Sequence, residues 1–248
     1  RDVLGSRGLG DVYKRQLSGI KSFFHFLTVA DYLETDPSEL LEGPKIGFKI
    51  PEVLTVEEID RIISAVDMDK KEGQRNRAIL ETLYSCGLRV SELCNLKLSD
   101  LYFEEGFIKV EGKGSKQRLV PISPRAIKEI KYWLTDRNLG KIKKGYEDYV
   151  FLARWGNNIS RIMVFHMIKE LAEKTGITKN ISPHTFRHSF ATHLLEGGAN
   201  LRAIQCMLGH ESIATTEIYT HIDRNMLRSE IIEHHPRNIK YRKERGIY

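Results

Sequence analysis

Hydrophobic residues recur at helical spacing through most of the chain. Before the Asp36-Pro37 step, residues such as Phe23 and Leu27 mark one apolar face of a helix, and the proline favours a helix end because it restricts the preceding residue. One such helix cannot bury its apolar face alone, so we expect it to pack on other helices. Residues 1–16 show neither a helical nor a strand pattern, and we expect a disordered or non-native leader there.

A segment rich in proline and glycine, residues 37–51, predicts a linker. Beyond it, Thr55 and Glu58 have the spacing of a capping box, which predicts a helix start. Three short runs of β-forming residues, separated by glycine-containing turns, predict an antiparallel meander. Further predicted helices cover residues 74–86, 90–96, 160–175, 215–219 and 225–232, with others beginning at Pro124, Pro183 and Asn200, and the strands cover 101–103, 107–110 and 118–122. The predicted fold class is mainly α with a small three-stranded antiparallel sheet, an α+β fold.

The composition is that of a folded globular protein, with 248 residues of which 41% are hydrophobic and 29% charged. No apolar run approaches the roughly 18 residues of a membrane span, and the chain does not open like a signal peptide. Three cysteines without a Cys-x-x-Cys pair argue against a disulfide framework and a cysteine zinc site. We therefore expect a cytoplasmic protein with no membrane partner.

The basic residues are unevenly distributed. The formal net charge is +6, but residues 1–16 and 235–248 account for it, and residues 17–234 are neutral overall. Between Lys109 and Lys144, eleven Lys or Arg stand against three acidic residues. Because such local clusters attract anions, this segment points to nucleic acid more clearly than the net charge does.

His184 and Arg187 are three residues apart in a helix that begins at Pro183, and this spacing places them near each other. An imidazole, a guanidinium and a helix N-terminus together suit a phosphate or another oxyanion. The same residues could instead cap the helix or form a polar surface patch. His184 and His188 have the spacing of a zinc pair, but no Glu follows His184 as in metalloprotease helices, so a metal site is not favoured.

Three further segments contain residues with chemical potential. His210 follows a helix end, and Tyr219 could act as a nucleophile if cationic groups share its site, although a tyrosine on a short helix is more often packed. Arg89 follows a glycine stop and could equally pair with Glu92 at the surface. Lys113 lies at a predicted hairpin tip that lacks the spacing of a Walker A loop, which excludes nucleotide hydrolysis and leaves a mobile lysine that could enter a groove or donate a proton.

Taken in order, these segments resemble the tyrosine recombinase (phage integrase) family, and within it the bacterial Xer recombinases. The resemblance extends from about residue 17 to residue 238. The matching stretches are GLRVSEL at 87–93, GKGSKQRLVPIS at 112–123, SPHTFRHSFATHLLEGGANLRAIQCMLGH at 182–210 and TTEIYTH at 215–221. Six separated functional positions thus occur with the family's local sequence around each.

The resemblance implies a site-specific recombinase that cuts DNA through Tyr219 and forms a 3′-phosphotyrosyl link. Arg89 and Arg187 would bind the non-bridging phosphate oxygens, with His210 adding a hydrogen bond. Lys113 would be the general acid, and His184 would assist proton removal from the tyrosine. The reaction would need no cofactor, neither metal nor nucleotide.

The resemblance also implies partners and a domain plan. The chain would act on double-stranded DNA at a dif-like site, with a XerC-like recombinase in a tetramer and an FtsK-type translocase, in chromosome dimer resolution. Lys109, Lys116, Arg118 and Arg202 would contact DNA. The expected divisions are a leader at 1–16, the last helix of a truncated core-binding domain at 17–43, the catalytic domain at 44–234 and a basic tail at 235–248.

Other interpretations remain open on the sequence. They are an integrase of a phage or mobile element, a type IB topoisomerase-like relaxing enzyme, and a DNA-binding fragment without activity. Family members have about a hundred residues before the catalytic domain, so we expect a truncated chain that binds its site weakly. The apolar residues Met226, Leu227, Ile231 and Ile232 are candidates for a segment that docks on a neighbouring protomer, although such residues more often pack within their own chain.

Overall fold

The computed structural model describes residues 8–41, 52–209 and 224–244, which belong to two compact units divided between Ile50 and Pro51. In the first unit, helix α1 spans Gly8–Val29. The expectation of an irregular segment is therefore wrong from Gly8 onward, because after Gly10 the segment consists largely of residues that a helix accepts. The helix also ends earlier than predicted, and Asp31 follows it with a positive φ of 58°.

The second unit is mainly helical with one small sheet, and its predicted fold class is confirmed. Its described helices are α2 Val56–Ser64, α3 Gly73–Cys86, α4 Val90–Cys94, α5 Pro124–Leu139, α6 Arg161–Lys174, α7 Pro183–Glu196, α8 Leu201–Leu208, α9 Arg224–His234 and α10 Pro236–Glu244. The predicted helix at 215–219 lies outside the described residues. None of the described helices is both long and apolar enough to cross a bilayer.

Local sequence explains the helix starts. The capping box at α2 is present, since the Thr55 hydroxyl accepts from the Glu58 amide and the Glu58 carboxylate accepts from the Thr55 amide. Prolines occupy the first turns of α5 and α7, and the Asn200 side chain caps α8. The predicted starts of these four helices are confirmed.

The sheet has the order β1-β2-β3, with strands Leu101–Tyr102, Phe107–Glu111 and Gln117–Pro121. All pairings are antiparallel, so the predicted meander is confirmed. The β2–β3 hairpin closes at its tip where the Gly112 amide donates to the Lys116 carbonyl at 2.8 Å. A 3₁₀ turn, Lys113–Ser115, forms this tip, as the sequence predicts for Lys113.

The core of the second unit lies around α3, which packs against both α5 and α7. Apolar side chains of α3 such as Ile79 and Leu83 are fully buried, as are Phe186, Phe190 and Leu194 of α7. Nearly all of α3 is enclosed, which explains why its hydrophobic pattern is weaker than that of a surface helix. This central packing fixes the end of α3 against the middle of α7.

The end of the chain differs from its prediction. Residues 236–244, expected to belong to a basic tail, form α10, and the Arg237 side chain is 1% exposed. Arg237 pairs with Asp60 of α2 and with the buried Glu81 of α3, since a buried carboxylate requires a cation nearby. The tail is thus a packed helix over residues 236–244.

The apolar residues of α9 also pack within this chain. Leu227 and Ile231 are buried, Ile232 is partly buried and Met226 lies at the surface. Leu227 and Ile231 belong to the main hydrophobic core. For these two residues the structure therefore shows packing within their own chain, which was the alternative to docking on a neighbouring protomer.

Candidate active site

Helix α7 exposes its two predicted histidines and buries its predicted arginine. Ser182 precedes the helix, and its amide donates to the Thr185 hydroxyl at 3.1 Å, so Ser182 and Thr185 cap the helix instead of His184. His184 and His188 are exposed, whereas Arg187 is buried. Partial desolvation of the imidazole, followed by the charges of His184 and Arg187, lowers the pKa of His188, which favours a neutral imidazole beside Arg187.

The Arg187 guanidinium lies between two helix ends. Its Nη1 donates to the Gly87 carbonyl at 2.8 Å, and its Nη2 donates to the Leu208 carbonyl at 2.5 Å. These carbonyls lie at the C-terminal ends of α3 and α8, where a helix has unpaired acceptors and the negative end of its dipole. Two helix ends from distant parts of the chain therefore fix one cation.

Gly87 allows this arrangement because it ends α3 with a φ of 58°. A Cβ at this position would lie 2.4 Å from the Phe190 ring, so no larger residue fits without a shift. The next turn of chain places Arg89 at the start of α4. A glycine at residue 87 thus brings both arginines of the sequence prediction to the same end of the core.

Arg89 reaches the site from the surface. Its Nη1 donates to Glu92 Oε1 at 2.9 Å, its amide donates to Glu92 Oε2 at 2.8 Å, and its Nη2 donates to the Gly209 carbonyl at 3.2 Å. The pairing of Arg89 with Glu92, which the sequence offered as an alternative, is present. The Arg89 side chain is 35% exposed, compared with 9% for Arg187, so Arg89 is the more accessible of the two cations.

Glu92 and Arg118 form the base of the site. Arg118 Nη1 and Nη2 donate to the two Glu92 carboxylate oxygens at 2.7 and 2.9 Å. Burial alone would raise the pKa of Glu92, but the hydrogen bonds and charge of Arg118, with those of Arg89, hold it below its usual value. Glu92 is therefore an anion at neutral pH, surrounded by arginines.

The pKa of Arg187 is lowered to about 10, first by burial and then by the charge of Arg89, while Glu92 opposes the shift. The Arg187 Nη1 lies 4.0 Å from Glu92 Oε2, so the three cations of Arg89, Arg118 and Arg187 share this one carboxylate. The sequence placed Arg118 among DNA contacts and did not indicate its pairing with Glu92. Residues 26 positions apart on a helix and a strand give no local pattern from which this pairing could be found.

The remaining predicted site residues fall into two groups. His210 and Tyr219 lie outside the described residues, although Gly209, the last described residue before them, ends α8 with a φ of 66°. The backbone of Lys113 forms part of the hairpin tip. Of the predicted DNA contacts, Lys116 and Arg202 are exposed and Lys109 pairs with Asp100 at 3.0 Å.

A groove of about 630 Å³ opens beside Arg89 and extends towards the β2–β3 hairpin. Its walls include Glu92, Lys97, Lys109 and Gln117. In the described part of the chain, no group of three or more His, Cys, Asp or Glu side chains lies close enough to hold a metal ion. Arg89 lines this groove, and Arg187 lies beside the same Glu92 carboxylate. Paired guanidiniums of this kind suit the non-bridging oxygens of a phosphate.

Comparison with known proteins agrees with this chemistry. The model of the phage integrase family matches residues 52–226, a range that includes His210 and Tyr219. The tyrosine recombinase XerD of Staphylococcus saprophyticus is 43% identical over 223 residues, which are 90% of this chain and 76% of that protein. XerD of Staphylococcus aureus is 42% identical over the same shares.

Solved structures with a similar fold include two Xer recombinases. The crystal structure of XerA is 34% identical, with a TM-score of 0.60 over 90% of this chain and 76% of that chain. The structure of XerH bound to a palindromic difH substrate, a post-cleavage complex, is 25% identical, with a TM-score of 0.70 over 93% of this chain and 67% of that chain.

Proposed function

This chain belongs to the phage integrase family of tyrosine recombinases and is a DNA strand-exchange enzyme for site-specific recombination, and we propose that it works through Tyr219. In this reaction the Tyr219 oxygen attacks a DNA phosphorus, a new P–O bond to tyrosine forms, and the bond to the 5′-oxygen breaks. The products are a 3′-phosphotyrosyl link and a free 5′-hydroxyl. Attack by the 5′-hydroxyl of the partner strand reverses the step and joins the exchanged strands.

The arginine pair stabilises the charge that grows on the phosphate. Arg187 is held rigidly by two carbonyls, while Arg89 is more exposed and can exchange the Gly209 carbonyl for a phosphate oxygen. Such preorganised donors are usually the largest contribution to catalysis. The convergence of these two cations, 98 positions apart in sequence, is the observation that most supports the proposal.

The other roles follow the family resemblance. Lys113 donates a proton to the leaving 5′-oxygen, since it stands on a hairpin tip at the side of the groove where DNA would enter. His184, exposed near the start of α7, assists removal of the tyrosine proton, and His210 donates a hydrogen bond to the phosphate. Lys109, Lys116 and Arg202 contact DNA phosphates.

The substrate of this proposal is a dif-like site, and the role is chromosome dimer resolution in the cytoplasm with a XerC-like recombinase and an FtsK-type translocase. The similarity to XerD proteins and to XerH bound to difH supports this assignment. A duplex with a dif-like core is therefore the substrate for testing it.

Covalent trapping tests the nucleophile. A nicked dif-like duplex lets the cleaved fragment diffuse away, so a protein–DNA adduct accumulates and survives on a denaturing gel. We expect this adduct with the wild-type chain and none with Tyr219→Phe. Tyr132→Phe, which changes an exposed tyrosine of α5, is the matched control and keeps the adduct. An adduct with Tyr219→Phe, or none with the wild type, contradicts the proposal.

The same assay tests site specificity. A duplex of equal length with a scrambled core should give at least about tenfold less adduct, since each mismatched base pair costs about 1–3 kcal/mol. Equal cleavage of both duplexes, together with relaxation of plasmids that lack the site, would instead indicate a type IB topoisomerase-like enzyme. Plasmids that contain two dif-like sites should recombine only when the XerC-like recombinase is added as well.

A further inference from the structure

We infer that Arg118 is a positioning residue for the phosphate-binding arginines: it orients Glu92, which in turn fixes Arg89 and is held 4.0 Å from the Arg187 Nη1. This inference rests on the proposed function, because it assigns a task to a residue that supports the same site. It also replaces the sequence prediction that Arg118 contacts DNA.

Each of the three side-chain nitrogens of Arg118 makes a hydrogen bond within the chain. Two of its nitrogens bind the two oxygens of Glu92 in a bidentate pair, and its Nε donates to the Met207 carbonyl at 2.7 Å. Its side chain is only 7% exposed. Because a bidentate arginine pair fixes the plane of its carboxylate, Arg118 determines which way the oxygens of Glu92 point.

The orientation of Glu92 decides where Arg89 lies. The carboxylate accepts four hydrogen bonds, two from Arg118 and two from Arg89, one of these from the backbone amide that starts α4. Without Arg118 the carboxylate would remain buried with half of its bonds lost. A buried carboxylate in that state turns to the next available cation, and Arg187 Nη1 is 4.0 Å away.

Arg118 also determines the charge of the site. Three guanidiniums surround one carboxylate, so the group has a net charge of +2, from three positive charges and one negative. Arg118 in effect neutralises Glu92 and leaves Arg89 and Arg187 to meet the phosphate. Its removal halves this net charge in a buried place, where the field at a bound phosphate is strongest.

Arg118 contacts the ends of both neighbouring segments. It lies on β3, next to the hairpin tip of Lys113, and a Cβ at Gly209 would lie 3.2 Å from its guanidinium. Gly209 is therefore the residue that allows the end of α8 to approach Arg118 closely. The same side chain thus joins α4, β3 and the end of α8.

The test compares two substrates in single-turnover trapping with Arg118→Met and Arg118→Lys. One duplex has the ordinary phosphate, and the other has a neutral methylphosphonate at the cleaved position. We expect Arg118→Met to slow adduct formation about 100-fold on the phosphate, and less than about tenfold on the methylphosphonate, which needs less positive charge. Arg118→Lys should restore part of the rate. Arg125→Met, which removes a cation from the buried Glu81 and leaves the cations around Glu92 in place, should react like the wild type.

Equal slowing of Arg118→Met on both substrates, or no slowing, overturns the inference, because a loss of folded protein alone would affect both substrates alike. A measurement without DNA separates this inference from the proposed function. The NMR signal of the Arg89 side chain should shift in Arg118→Met and stay in place in Arg125→Met. An unmoved Arg89 signal contradicts the positioning role. If the Arg89 signal shifts in Arg118→Met but the wild-type chain forms no adduct with DNA, only the proposed function is contradicted.

Discussion

Arg89 and Arg187 share one proposed role but are held differently. The Arg187 guanidinium is buried and bonded to the Gly87 and Leu208 carbonyls, whereas Arg89 is 35% exposed. A lysine has a single ammonium group and cannot reproduce the planar fork that reaches both carbonyls. The two positions should therefore respond differently to the same substitution.

We predict that Arg187→Lys loses both stability and activity, while Arg89→Lys loses activity alone. The first substitution leaves a buried carbonyl without its donor, at a cost of about 1–3 kcal/mol in the free energy of unfolding. The second keeps a positive charge beside Glu92 and changes a side chain that is 35% exposed, so it should cost less, about 1 kcal/mol or below. Urea denaturation measures the stability of each variant, and trapping measures an adduct rate lowered about 100-fold or more in both. Equal stability of the two variants would show that the carbonyl contacts of Arg187 have little energetic weight.

The junction of α3 and α4 depends on a glycine in the left-handed region. In Gly87→Ala the new methyl group clashes with the Phe190 ring, and alanine is strained at this positive φ. We therefore expect the free energy of unfolding to fall by more than about 2 kcal/mol. Gly176→Ala provides the matched control, since Gly176 has a φ of 68° with no atom within 4 Å of its Cβ position. That variant should lose only about 1 kcal/mol. Thermal unfolding compares the two, and similar losses would mean that the ring moves aside freely.

The attachment of α10 to α3 should make the fold sensitive to acid. Burial lowers the pKa of His235 to about 3, and its ring contacts the Tyr84 carbonyl and the Arg237 amide. Between about pH 6.5 and pH 3 the unfolded chain binds a proton at this residue and the folded chain does not. Protons therefore favour unfolding, and stability falls as the pH decreases through this window, by at most about 1.4 kcal/mol per pH unit for one group.

We predict that His235→Gln reduces this loss. Glutamine can donate to the Tyr84 carbonyl but does not titrate, so the variant should lose less stability than the wild type between pH 6.5 and pH 5. The nearby His193 also has a pKa lowered by burial and remains in both proteins, which makes the difference between them specific to residue 235. Urea denaturation across this range measures it, and parallel curves for the two proteins would contradict the assignment.

Local signals in the sequence predicted most elements but not their partners. Thr55, Pro124 and Asn200 marked helix starts correctly because capping depends on residues a few positions apart. Helix α10 was missed because Arg237 appears as one more basic residue until Glu81 is placed opposite it. Contacts between distant residues follow from tertiary packing, which a single sequence does not display.

The same distinction applies to the site. Arg89 and Arg187 were identified from their neighbours in the sequence, and the structure brings them to the same carboxylate. The pairing of Arg118 with Glu92 had no local signal, and a basic residue in a basic segment was assigned to DNA. Charge counted along a chain cannot distinguish a cation that faces solvent from one that faces a buried anion.

For the whole molecule, the difference between cations that face solvent and cations that face a buried anion predicts the salt dependence of DNA binding. Each phosphate contact releases counterions and contributes about 0.9 to the slope of the logarithm of affinity against the logarithm of salt concentration. Lys116 and Arg202 lie at the surface, whereas the side chain of Arg118 is only 7% exposed. We expect Lys116→Gln and Arg202→Gln each to reduce the slope by about 0.9, and Arg118→Gln to reduce it by less, because Arg118 acts on the phosphate only through Arg89 and Glu92. Fluorescence anisotropy with a labelled duplex at several salt concentrations measures these slopes. A slope reduced by Arg118→Gln as much as by Lys116→Gln would mean that Arg118 leaves Glu92 when DNA binds, and that the net charge of the site changes in the complex.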